Sequence, residues 1–268
     1  MRLQRILNAV DRQPWNITAD GHESISQLLK AKLEGVNAGF FSEFVNERPG
    51  MEIDRKNVAH VYVCGVLGQG LTQIERSCGN TDYSEVVNES LLAVETGAKG
   101  IMYHHDSPGG MATGAYEAAK IISELGIPTM AYGASMMCSA SYQLASVCNL
   151  IWMQPSGMSA SIGTIMPMID SSERWKMEGV KPDYITHTGG DLKAAGYPPS
   201  MTPEQRASLQ DLVDDAFEQF SSLVLANRSV PKEAMRGQVM GGKRCLEMNV
   251  VDGLGSEAEA YQELLRII

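Results

Sequence analysis

The sequence predicts an α/β fold with a parallel-rich sheet, and two observations carry that reading. From Val58 onward, short apolar runs of strand character alternate with segments of helical spacing, joined by short connections. The chain has 268 residues, of which 44% are hydrophobic, enough for one large α/β domain or two small ones.

Residues 1–50 read as a separate helical segment or arm, and residues 51–268 as the main domain. Between Ser24 and Phe44, Ile25, Leu28, Leu29, Leu33 and Val36 fall roughly on one helix face, and Pro49-Gly50 ends the pattern. Val58–Leu67 is an apolar strand. Tyr83–Glu95 has helical spacing and breaks at Gly97. Gly100–Tyr103 is a short strand, Ala112–Leu125 a helix, and Thr129–Tyr132 a strand. A helix over Ser139–Val147 and a strand over Leu150–Met153 follow. Ile162–Ile169 and Asp183–Thr186 read as strands, with a helix over Ser171–Glu178 between them. Pro203–Asn227 is a long amphipathic helix, with Thr202 as N-cap before Pro203.

The formal net charge is −10, a balance that repels phosphate backbones and anionic membranes and excludes nucleic acid as the expected partner. No run approaches the ~20 apolar residues of a membrane span. The stretch Met1–Ile6 lacks the apolar core of a signal peptide, so a cytoplasmic setting is expected. The five cysteines, at 64, 78, 138, 148 and 245, form neither CxxC pairs nor a regular framework. They are expected to be buried reduced thiols, and the sixteen methionines to be core fillers. No cofactor and no metal are implied.

Three stretches bear on chemistry. Asp106-Ser107-Pro108-Gly109-Gly110 follows a strand and precedes a helix. Its proline fixes one bend, and its glycines let a ligand approach the backbone, whose N–H groups suit an oxyanion hole. His104 and His105 are adjacent on a strand and point to opposite faces, so they cannot share one ligand set. Ser139 lies among small residues, just after a strand and at a helix start, where a nucleophile is exposed and developing negative charge is favoured. Ser135 is its rival, but Gly133-Ala134-Ser135 lacks the second glycine of a G-x-S-x-G elbow.

Further residues fall into an ordered series with these: Asp106-Ser107-Pro108-Gly109-Gly110-Met111, Cys138-Ser139-Ala140, Leu144-Ala145-Ser146, Ser161-Ile162-Gly163, Lys193-x-x-Gly196-x-Pro198, and Gly241-Gly242 with Val251-Asp252-Gly253-Leu254. In that order and spacing, residues 55–258 resemble the signal peptide peptidase family of Ser/Lys proteases, and within it the capsid-maturation proteases of tailed phages. The resemblance implies a crotonase-like fold, shared with the Clp protease subunit, and a serine endopeptidase with a Ser/Lys dyad. By position, Ser139 takes the nucleophile's place and Lys193 the base's. Gly110 and Ala140 take the places that supply oxyanion N–H groups, and Ser161 that of a serine orienting the lysine. It implies polypeptide substrates, with capsid, portal or scaffold proteins among the expected partners, a homo-oligomer, and a setting in the host cytoplasm or the prohead. Many members carry Ser-Gly-Gly where this chain has Ser139-Ala140-Ser141. The alternative functions are a catalytically silent assembly component of the same fold and a crotonase-type enzyme acting on an acyl thioester.

The dyad chemistry also stands on its own. A lysine ammonium titrates near ~10.4 in water, and burial lowers that value by several units, which yields a neutral base. Lys193 sits in Gly189-Gly190-Asp191-Leu192-Lys193-Ala194-Ala195-Gly196, whose small residues permit close packing. Asp191, two positions away, is expected to share its side of a strand and to oppose that shift.

Overall fold

The computed structural model describes residues 13–33, 48–168, 170–195 and 201–268. In chain order the elements are β1 (Trp15–Ile17), α1 (Ala19–Leu33), β2 (Glu52–Ile53), β3 (Val58–Gly68), α2 (Gln73–Ser77), β4 (Thr81–Asp82), α3 (Tyr83–Glu95), β5 (Gly100–Met111), α4 (Ala115–Ser123) and β6 (Thr129–Cys138). They continue with α5 (Ala140–Ala145), β7 (Leu150–Met153), β8 (Met158–Ala160), α6 (Ser172–Met177), α7 (Pro203–Asn227), β9 (Val239–Gly241), α8 (Gly242–Glu247), β10 (Gly253–Leu254) and α9 (Glu257–Ile267).

The sheet runs β10-β7-β6-β5-β3-β2, and every neighbour pair from β10 to β3 is parallel. This is the expected α/β class. Parallel strands need crossovers, and the amphipathic helices supply them. Several start on side-chain caps legible in the sequence: Asp82 with Glu85 opens α3, Thr202 with Gln205 opens α7 behind Pro203, and Ser256 with Glu259 opens α9. Each cap stabilises its helix by about 1 kcal/mol. Val61, Val63, Ile101, Tyr103, Ala131 and Ile151 bury one sheet face against Val86, Ala118, Ile122, Leu144 and Phe220. Val58, Met102, Met130 and Tyr132 on the other face pack against Ala260 and Leu264 of α9.

The sheet opens where the site lies. Ser107↔Met137 is the last β5–β6 pair, past a register shift. Beyond it β5 keeps β3 on one side (Val66↔Gly109, Leu67↔Gly110) and takes β1 antiparallel on the other (Asn16↔Gly110). The end of β6 pairs with β8 (Met137↔Ser159), and β8 pairs with β9. Residues 15–17, within the segment set apart by the sequence pattern, thus join the main sheet. Trp15 and Ile17 pack on Ile25 of α1 and on Val66 and Met111.

Several elements differ from the sequence expectation. The Asp106–Gly110 stretch is not a turn after a short strand; β5 runs through it to Met111, and the positive φ of Gly109 (107°) accommodates the bend. Residues 162–168, the described part of the expected Ile162–Ile169 strand, are irregular apart from a bridge between Ile165 and Trp15, because the strand β1 offers them is only three residues long. Residues 183–186 form no strand. Helix α1 begins at Ala19 rather than Ser24, and the expected continuation beyond Leu33 to Phe44 lies outside the described residues. All five cysteines are free, but Cys78 is exposed and Cys64 half-buried, so the expectation of burial holds for Cys138, Cys148 and Cys245. Burial pushes those thiols up, Cys138 and Cys148 to about 12 and Cys245 to about 11.

His104 and His105 do point to opposite faces. His104 stacks on Tyr62 and lies 2.8 Å from the His60 imidazole, whereas His105 Nδ1 meets Ser141 Oγ of α5 at 2.8 Å. Burial, with His60 beside it, lowers His104 to about 4, and burial with His104 beside it lowers His105 to about 3. A folded-state value below the free value means that the unfolded chain binds more protons between the two. The stability is therefore complete above about pH 6.5 and is lost as pH falls toward 4 and 3. Thermal unfolding should shift to lower temperature across that window. His105→Asn, which keeps a polar contact to Ser141 but does not titrate, should flatten the curve; a profile parallel to that of the unsubstituted protein would show that His105 is not a source of the slope.

Candidate active site

Ser139 is the residue between β6 and α5. Its backbone stands at φ 55°, ψ −119°, a conformation that favours glycine. Strand pairing of β6 with β8 forces one end of this turn and helix α5 the other: Ser139 N–H donates to the Ala160 carbonyl at 2.7 Å, and Gln143 N–H donates to the Ser139 carbonyl at 2.8 Å. A sharp, strained strand-to-helix turn is the device that projects a nucleophilic serine from a sheet. Such strain costs about 1–3 kcal/mol. Ala160 (φ 72°) and Ser161 (φ 52°), on the adjoining β8 end, are held in the same region. Three strained non-glycine residues therefore meet around one serine.

The oxyanion candidates flank it. Gly110 packs so tightly on β3 that any Cβ there would lie 1.9 Å from the Leu67 carbonyl oxygen. A Cβ on Gly109 would meet Ser139 Cβ at 2.9 Å and the Ala140 nitrogen at 3.1 Å. The two glycines thus let the β5 backbone lie against the start of α5. Ala140 is the first residue of that helix, so its N–H has no partner within the helix. Gly109 thus lies directly against Ser139 and Ala140, and Gly110 is the next residue of β5, packed on Leu67.

Ser139 is fully buried, and its Oγ has no hydrogen-bond partner among the described residues. Lys193 is exposed, in a 3-10 turn (Asp191–Ala194), and so does not contact that oxygen. The Asp191 side chain is exposed in the same turn, not on a strand, and its carbonyl accepts from Gln205 Nε2 at 2.8 Å. Ser161 is buried and donates to the Gly237 carbonyl at 3.3 Å rather than to a lysine. Ser135, the rival serine, is exposed within β6 away from the strained turn. Among the described residues no group of His, Cys, Asp and Glu is placed to hold a metal.

Sequence reasoning did not find three polar residues at this locus. Asn16 of β1 is buried, with its Nδ2 donating to Gln143 Oε1 at 3.0 Å and its Oδ1 accepting from Thr164 Oγ1 at 2.6 Å. These residues lie 127 and 148 positions from Asn16, and no local pattern marks such a contact.

The strain at Ser139 has a measurable consequence. Ser139→Gly should unfold at higher temperature than Ser139→Ala, by a margin of about 1 kcal/mol or more, since glycine relieves the positive φ and alanine keeps it. Equal melting temperatures would show that the turn is unstrained.

The sequence model described as peptidase family S49 matches residues 122–266, a span that includes Ser139, Ser161 and Lys193 and begins after Gly110. The chain is 26% identical over 215 residues to the Synechocystis sp. protein named "Putative protease slr0021", covering 78% of this chain and 73% of that one. It is also 26% identical over 210 residues to the capsid assembly protease C of Escherichia phage lambda, and 26% identical over 209 to the head-tail preconnector protein GP5 of Enterobacteria phage P21. Each phage match takes in 76% of this chain, but the chain spans only 47% and 42% of those two proteins. Among solved structures, partial overlaps include the 1510-N membrane-bound stomatin-specific protease (16% identity, TM-score 0.42, 76% of this chain and 78% of that one). An enoyl-CoA hydratase of Mycobacterium smegmatis overlaps likewise (9% identity, TM-score 0.45, 81% of this chain and 75% of that one). The family match covers more than half of the sequence: the chain belongs to peptidase family S49.

Proposed function

We propose that this chain is a serine endopeptidase in which Ser139 attacks a peptide carbonyl and Lys193 is the general base. The observation that carries this reading is the strained Ser139 turn, with Gly109 of the Gly109-Gly110 pair lying against Ser139 and Ala140. The Ser139 Oγ proton passes to neutral Lys193 as the tetrahedral adduct forms. The adduct's oxyanion takes the N–H groups of Gly110 and Ala140. Collapse expels the amine, which receives the proton, and water then hydrolyses the ester and regenerates Ser139. In this mechanism Ser161, the residue just past β8, would give up its bond to the Gly237 carbonyl and orient the incoming lysine.

Lys193 must come in from its exposed turn to serve. The segment that carries it displays large apolar side chains, among them Met177 (83% exposed), Ile185 (97%) and Leu192 (46%). Such a surface calls for a covering partner, which supports a homo-oligomer in which the lysine turn is seated against a neighbouring copy or pressed back on its own domain. The phage relatives support a role in head maturation, with capsid, portal or scaffold polypeptides as substrates, in the host cytoplasm or the prohead. Among the described residues no helix is long and apolar enough to cross a membrane. The alternative of a silent assembly component draws on the separation of Lys193 from Ser139.

A fluorophosphonate probe separates the two. It should label the oligomeric protein and fail on Ser139→Ala; absence of label on the unsubstituted protein in any assembly state would favour the silent component. Lys193→Met should keep the fold and lower kcat/KM by at least ~10²-fold, the usual contribution of a general base. Lys193→Arg should fail too, because guanidinium stays charged. Undiminished proteolysis by purified Lys193→Met would remove this lysine from the mechanism.

A further inference from the structure

The opening between β5 and β6 is already filled, and what fills it is the chain's own strand β1. Its backbone is bonded on both edges. Trp15 exchanges two hydrogen bonds with Ile165, at 2.8 and 2.9 Å. On the other edge Thr18 N–H donates to the Pro108 carbonyl at 3.0 Å, and Ala112 N–H donates to the Pro14 carbonyl at 3.2 Å. With the register Asn16↔Gly110, those two flanking bonds make Asn16 and Gly110 the hydrogen-bonded pair of the antiparallel ladder. The Gly110 N–H, a candidate oxyanion donor, therefore faces the Asn16 carbonyl oxygen. That oxygen is also the nearest atom to the space a Gly109 side chain would take, at 2.3 Å, with Ser139 Cβ at 2.9 Å from the same point.

We infer that residues 14–18 are an internal pseudosubstrate: they lie in the groove as an extended peptide, present the Asn16 carbonyl to the oxyanion locus, and keep Ser139 covered until displaced. The inference rests on the proposed Ser139 site. An extended segment paired along a sheet edge takes its affinity from main-chain bonds and its specificity from side-chain pockets. Here the pocket beside the presented carbonyl is polar: Gln143 Oε1 accepts from the Asn16 amide, and Thr164 Oγ1 donates to its carbonyl oxygen. A carboxamide satisfies both, so peptides carrying asparagine at this position are the class of ligand the groove takes. Among the described residues the buried Gln13 Nε2 and Trp15 Nε1 have no hydrogen-bond partner. The segment is thus held less completely than a core strand, as a displaceable occupant must be.

Asn16→Pro tests this in the full-length protein, since it removes the N–H that pairs with Gly110 and places a ring in the ladder. The fluorophosphonate labelling rate at Ser139 should rise at least tenfold, and a synthetic peptide of residues 13–18 should suppress that rise. The same peptide with leucine at the asparagine position should not. A labelling rate that does not change in folded Asn16→Pro would overturn the inference. A second readout is independent of catalysis. Fluorescein-tagged 13–18 peptide should bind Asn16→Pro at least tenfold more tightly than the unsubstituted protein by anisotropy, and equal or absent binding would overturn the inference. Should no form of the protein accept label, the nucleophile assignment fails, while anisotropy still decides what fills the groove. If Asn16→Pro does not fold, Thr164→Val, which deletes one side-chain anchor and keeps the shape, should move both readouts the same way by about threefold, the order of one hydrogen bond; no movement in either would count against the inference.

Discussion

The parting of β5 from β6 beyond Ser107 and Met137 is the constraint on which the rest of the site depends. Up to that pair the two strands satisfy one another. Past it each must find a new partner, and a backbone left unpaired and buried would be costly. β8 takes the free edge of β6, and β1 takes the free edge of β5. Ser139 lies where the two halves separate, at the carboxyl end of a parallel strand, the place where α/β sheets bind ligands. Its strained backbone is the local consequence of turning from strand to helix within one residue. Gly109 and Gly110 are the complementary requirement, because a side chain at either would collide with backbone atoms.

How much of this was legible follows the range of each interaction. Val58–Leu67 and Pro203–Asn227 announce themselves through a continuous apolar run and a capped amphipathic pattern, and both elements are present within a residue. The helix over Glu257–Ile267 was equally legible from Ser256 and Glu259, a capping box, but the sequence reading did not single it out. By contrast, β1, β8 and β9 are three residues each, too short for a period to show, and exist because distant edges need partners. Ile162–Ile169 has strand composition, yet its described residues, 162–168, form one bridge, from Ile165 to Trp15. Composition cannot tell whether an edge is available.

The candidate site divides the same way. Ser139 stands out as a serine among small residues at a helix start, and Gly109-Gly110 as a place for close backbone approach. Both readings rest on local chemistry. Lys193 was legible only through resemblance to a family, and the structure leaves it exposed in a turn. Asn16 carried no signal at all, since its partners Gln143 and Thr164 lie far along the chain. The polar contacts that a peptide ligand would use are properties of the folded opening.

Under the proposed mechanism, a groove closed by the chain's own strand and a lysine held away from Ser139 would both keep the protease quiet until assembly. A structure of the oligomer with a phosphonate bonded to Ser139 tests the central claim most directly. The expected adduct has a phosphonyl oxygen about 3 Å from the Gly110 and Ala140 nitrogens, β1 displaced from β5, and a Lys193 Nζ within hydrogen-bond reach of Ser139 Oγ. A phosphonate on another serine, or an adduct at Ser139 with every Lys193 still remote, would contradict it.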